Sequence, residues 1–105
     1  MTIPDRGTAS STIAITGCNR AASTASTVAV DIRHTYRGDL VVDLVAPDGS
    51  AYRLKNSSSS DGADNVIATF TANLGSEQAN GTWSLRVQDV YSADTGYINT
   101  WTLTV

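Results

Sequence analysis

Cysteine, histidine, lysine and glutamate each occur once in this sequence, as Cys18, His34, Lys55 and Glu77. One cysteine excludes an internal disulfide, and one cysteine with one histidine falls short of a structural zinc site. Cys18 reads as a small half-buried residue near a turn, with a bond to a partner domain as the alternative. A lone histidine leaves nucleophilic catalysis a single imidazole base, and no Gly-x-Ser-x-Gly elbow presents a serine to it. The scarcity of lysine and glutamate removes the residues that favour helices. No apolar run approaches the ~18 residues of a membrane span. The seven basic residues are scattered and the net charge is −3, so no basic stripe suited to nucleic acid is present.

What is abundant points to strands. Serine contributes 12 residues and threonine 14, a bias towards β-branched and turn-forming side chains. A length of 105 residues fits one domain, taken as residues 1–105. Period-two alternation recurs: Val28, Val30 and Ile32; Leu40, Val42 and Leu44; and Trp83, Leu85 and Val87 each form an apolar face. The face opposite Leu40 is mixed, with Val41, Asp43 and Val45. Tyr97, Trp101, Leu103 and Val105 are expected to share a face that Asn99 interrupts. Weaker strands are expected over Ser11–Ile15, Ala51–Leu54 and Val66–Thr71. Pro47-Asp48-Gly49, Asn80-Gly81 and Asp94-Thr95-Gly96 are turn signals, and residues 57–64 form a serine-rich loop. Many short strands with one apolar face each require two facing sheets. The expected class is all-β, a jelly-roll β-sandwich of mainly antiparallel strands.

Two blocks carry a family resemblance. His34-Thr35-Tyr36-Arg37-Gly38-Asp39-Leu40 leads into an apolar strand and the turn Pro47-Asp48-Gly49-Ser50. Gly81-Thr82-Trp83-Ser84-Leu85-Arg86-Val87-Gln88-Asp89 is followed by Asp94-Thr95-Gly96-Tyr97-Ile98-Asn99-Thr100-Trp101-Thr102-Leu103. Together they resemble the P (Homo B) domain of kexin- and furin-like proprotein convertases and bacterial subtilisin-like secreted proteases. Ser50 stands where the family pattern has Thr, and Ile98 where it has Leu. The resemblance implies a jelly roll of about eight strands and a non-catalytic accessory role beside a protease catalytic domain, which is its expected partner. That role is to support the neighbour's folding, stability, or calcium and pH dependence. It also implies a secreted protein whose parent is a serine endopeptidase or another peptidase. Met1-Thr2-Ile3-Pro4 has neither the charged nor the apolar part of a secretory leader, so Met1 reads as a start added to an excised module.

Candidate sites follow from residue chemistry. Asp61 and Asp64 in one loop, Asp89 and Asp94 flanking another, and Asp39 at the start of a strand would suit Ca²⁺, which takes roughly six to eight oxygens; the alternative is turn capping. Tyr36, Tyr52 and Tyr91 lie in or beside turns and are expected on a surface that binds protein or polysaccharide, which makes a free-standing binding module the alternative function. His34, Trp83 and Trp101 are expected to be structural, the family motif placing His34 at a strand end.

Overall fold

The computed structural model describes residues 2–91 and 96–105. Its strands are β1 (Thr2–Ile3), β2 (Thr8–Ile15), β3 (Ser26–His34), β4 (Leu40–Val45), β5 (Ala51–Lys55), β6 (Val66–Ala72), β7 (Gly81–Asp89) and β8 (Gly96–Thr104), with one 3-10 turn at Arg37–Asp39 between β3 and β4. The strands form two four-stranded sheets, in the orders β1-β8-β3-β6 and β2-β7-β4-β5. Every paired neighbour is antiparallel. Interleaving the first half of the chain with the second in both sheets is the jelly-roll arrangement, as expected.

Alternation decides what lies between the sheets. β3 is buried at every second residue from Ser26 to His34, which sends Val28, Val30 and Ile32 inward. Leu40, Val42 and Leu44 of β4 and Trp83, Leu85 and Val87 of β7 complete the cluster from the facing sheet. Full burial of each such side chain is worth about 1.5–3 kcal/mol. Trp83 is wholly buried and its indole N–H donates to the carbonyl of Ala79 at 3.0 Å. Trp101 is only partly buried and packs at the margin of the core, its indole N–H donating to Ser11 Oγ at 3.0 Å.

Three local features depart from the sequence pattern. Tyr97 is not on the face of Trp101, Leu103 and Val105. Asp31 pairs with Thr100 and Ile32 with Ile98, so Asn99 is an extra residue in β8. A bulge of this kind reverses side-chain direction. Ile98 therefore enters the core, while Tyr97 is 46 % exposed. The serine-rich loop is also tied down rather than loose. Gly38 N–H donates to Asp61 O at 3.0 Å, Ser58 N–H to Gly38 O at 2.8 Å and Arg37 N–H to Ala63 O at 2.9 Å. A Cβ at Gly38 would lie 2.1 Å from Ser58 O, so only glycine allows this approach. Lastly, β1 pairs through Thr2 and Ile3 with Tyr97 and Gly96, a strand too short to show any periodicity. The Pro47-Asp48-Gly49 turn forms as read, with Gly49 at φ 91° and its N–H donating to Ala46 O at 2.9 Å.

Candidate functional site

The polar residues that gather most closely lie at one end of the core. Continued alternation turns the last residue of β3, His34, and the last of β7, Asp89, inward from opposite sheets. The 3-10 turn adds Asp39. Their exposures are 3 %, 1 % and 4 %, and one side-chain ligand atom from each lies within 4.8 Å of the others.

The hydrogen bonds determine what the imidazole can do. The backbone N–H of Tyr36 donates to His34 Nδ1 at 3.0 Å. A backbone amide can only donate, so Nδ1 accepts, and the neutral ring carries its proton on Nε2. Nε2 lies 3.2 Å from Asp89 Oδ2 and donates to it. Asp89 Oδ1 accepts from the N–H of Tyr91 at 3.1 Å. Asn65 holds the His34 backbone from both sides: its Oδ1 accepts the His34 N–H at 3.0 Å and its own N–H donates to His34 O at 2.9 Å. Asn65 adopts φ 62° to do so, a conformation that asparagine tolerates better than most residues. Across β8, a Cβ at Gly96 would lie 2.1 Å from Arg33 O and 2.9 Å from His34 Cα. Both ring nitrogens are thus engaged inside the protein, and no lone pair is left for a metal ion or for proton abstraction from a substrate. The cluster ties the two sheets together.

The predicted calcium ligands do not converge among the described residues. Asp39 and Asp89 meet in the His34 cluster, where the Nε2 proton faces the Asp89 carboxylate. Asp61 is taken by Arg37, whose Nε lies 2.9 and 3.1 Å from its two oxygens. That guanidinium holds the Asp61 carboxyl below its ordinary range. Asp64 is exposed and borders a groove of about 260 Å³ with Arg33, Thr35, Asn65 and Tyr97. Asp94 lies outside the described residues.

The tyrosines divide in the same way. The Tyr36 hydroxyl donates to Ser59 O at 2.5 Å and pins the serine-rich loop. Tyr52 faces inward opposite Leu44, and its hydroxyl bonds the buried carboxylate of Glu77, which raises the phenol's pKa. Tyr91 is 44 % exposed, so the exposed aromatic surface belongs to Tyr91 and Tyr97. Sequence reading missed Tyr97; the interrupting Asn99 was the signal that a bulge would turn it outward.

The chain is a two-sheet β jelly roll that encloses the His34–Asp39–Asp89 cluster at one end of its core. The chain belongs to the proprotein convertase P-domain family, which matches residues 23–105. It is 52 % identical to leupeptin-inactivating enzyme 1 of Streptomyces exfoliatus, over 97 % of this chain and 24 % of the relative. It is 53 % identical to the transglutaminase-activating metalloprotease of Streptomyces mobaraensis, over 97 % of this chain and 13 % of that protein. The fold matches the serine protease of Aeromonas sobria with a TM-score of 0.76 at 21 % identity, covering 97 % of this chain and 24 % of that one. The chain therefore spans a quarter or less of these proteins.

Proposed function

We propose that this domain is a non-catalytic accessory module of a secreted peptidase, acting by packing on and stabilising the catalytic domain. The observation that carries the reading is the coverage. Nearly the whole chain matches a metalloprotease and a basic protease of bacteria, of which it spans a minor part. The burial of the only histidine with both nitrogens engaged agrees with this. Secretion is supported by a relative named the extracellular basic protease of Dichelobacter nodosus, 32 % identical over 97 % of this chain. The similar proteins include a metalloprotease by name, while the solved structure from Aeromonas sobria is a serine protease, so the proposal is held at secreted peptidase.

The mechanism is mass action: a module that binds only the folded catalytic domain stabilises it. The purified chain should hydrolyse no peptide substrate, and a turnover that survives repurification would overturn the reading. Two relatives are calcium-dependent proteases by name. If the Asp residues serve as turn caps and ion-pair partners, as Asp48 and Asp61 do, the Tm of the isolated domain should be the same in EDTA as in excess Ca²⁺. A clear rise with Ca²⁺ would put an ion on this module.

A second reading, binding of polysaccharide or protein substrate, draws on exposed Tyr91 and Tyr97. Retention on an insoluble polysaccharide that is lost in Tyr91→Ala or Tyr97→Ala would favour it.

A further inference from the structure

The outer face of the β2-β7-β4-β5 sheet carries an unbalanced charge. Asp43 of β4 sits between Arg53 of β5 and Arg86 of β7, its cross-strand partners in register on either side. Arg53 Nε donates to Asp43 Oδ1 at 2.6 Å, and Arg86 Nη2 donates to Asp43 Oδ2 at 3.1 Å. The carboxylate is 7 % exposed, whereas the two arginine side chains are 50 % and 43 % exposed. The other Arg–Asp pairs among the described residues are one to one, Arg33 with Asp31 and Arg37 with Asp61. This rung holds two cations against one anion on a chain of net charge −3.

The geometry leaves donors to spare. A guanidinium has five N–H groups in a planar fork. Arg53 gives one to Asp43 and one to Asn56 Oδ1 at 2.8 Å, and Arg86 gives one to Asp43. Asp43 holds both forks in place, so little side-chain entropy remains to be lost on binding. Along the strands the rung is flanked by Val41 and by Val45 beside Ala51. Val45 and Ala51 leave aliphatic surface beside the two arginines, and arginine is enriched at interfaces.

We propose that the Arg53–Asp43–Arg86 rung is a docking site for a carboxylate on an acidic peptide segment. It rests on the accessory reading only in assigning that segment to the neighbouring catalytic domain. An incoming carboxylate lies across both forks and neutralises the excess charge, a charge-assisted and oriented contact.

The test is binding of a blocked oligoglutamate peptide to the isolated chain at low salt, followed by amide and arginine Nε–H NMR, with blocked oligolysine as control. The expected shifts centre on Arg53, Arg86 and Val45 and vanish at 0.5 M NaCl. Arg53→Gln or Arg86→Gln, either of which makes the rung neutral, should weaken binding by about fivefold. Shifts centred on Arg6 or Arg20, equal binding by oligolysine, or an affinity indifferent to both arginine substitutions would overturn the proposal. The shift map on the unaltered chain decides the matter if a variant fails to fold. Failure here leaves the accessory reading standing, since peptidase stability decides that separately.

Discussion

At the residue scale, His34 shows how a side chain that suggests catalysis can serve only the fold. His34→Ala removes an acceptor from the Tyr36 N–H and a donor from Asp89, both at a buried site. A buried carboxyl left without its donor and a buried amide left without its acceptor are together expected to cost about 2–5 kcal/mol. Urea denaturation checks this; a cost under about 1 kcal/mol would mean that the cluster does not tie the sheets. Acid stability follows from other carboxylates. Arg33 lowers the pKa of Asp31, the Ser50 N–H that of Asp48, and Arg37 that of Asp61, each from an ordinary 3.8. A lowered folded-state value adds stability that is fully present above 3.8 and is lost as pH falls through the lowered values. The Tm should therefore be level above about pH 5 and fall below that ordinary value, and calorimetry showing no fall down to strong acid would contradict this.

At the element scale, the bulge in β8 separates two otherwise similar neighbours. Ile98→Ala should cost about 2–5 kcal/mol by opening a core cavity, whereas Tyr97→Ser should stay within about 0.5 kcal/mol. The reverse order would restore the unbroken alternation that the sequence suggests. Trp83→Ala, at a fully buried site, should cost about 3–5 kcal/mol, and Trp101→Ala, at the core margin, less. The long strands were legible because one face of each is buried, and alternation then records the fold directly, as in Val28, Val30 and Ile32. The 47–49 turn was legible because proline and glycine restrict φ. What was not legible depends on contacts distant in sequence. The insertion at Asn99 is defined only against Asp31 and Ile32, and the order of the serine-rich loop only against Gly38. The Arg–Asp–Arg rung needed the pairing of β5, β4 and β7 before Asp43, visible on a mixed face, acquired its partners. Tyr36 and Tyr52 looked exposed because turn residues usually are, yet their hydroxyls close loops instead.

At the scale of the whole molecule, the two sheets leave the polar cluster enclosed, the Arg53–Arg86 face outward, and Tyr91 and Tyr97 on the surface. That arrangement agrees with the proposed role of a module that packs on a neighbouring catalytic domain. The most direct test compares the full-length peptidase bearing this module with a form lacking residues 1–105, measuring the half-life of activity at elevated temperature. The account predicts a several-fold shorter half-life without the module, at nearly unchanged kcat/KM on a short peptide. An unchanged half-life, or a catalytic rate that vanishes while the remaining domain stays folded, would contradict it.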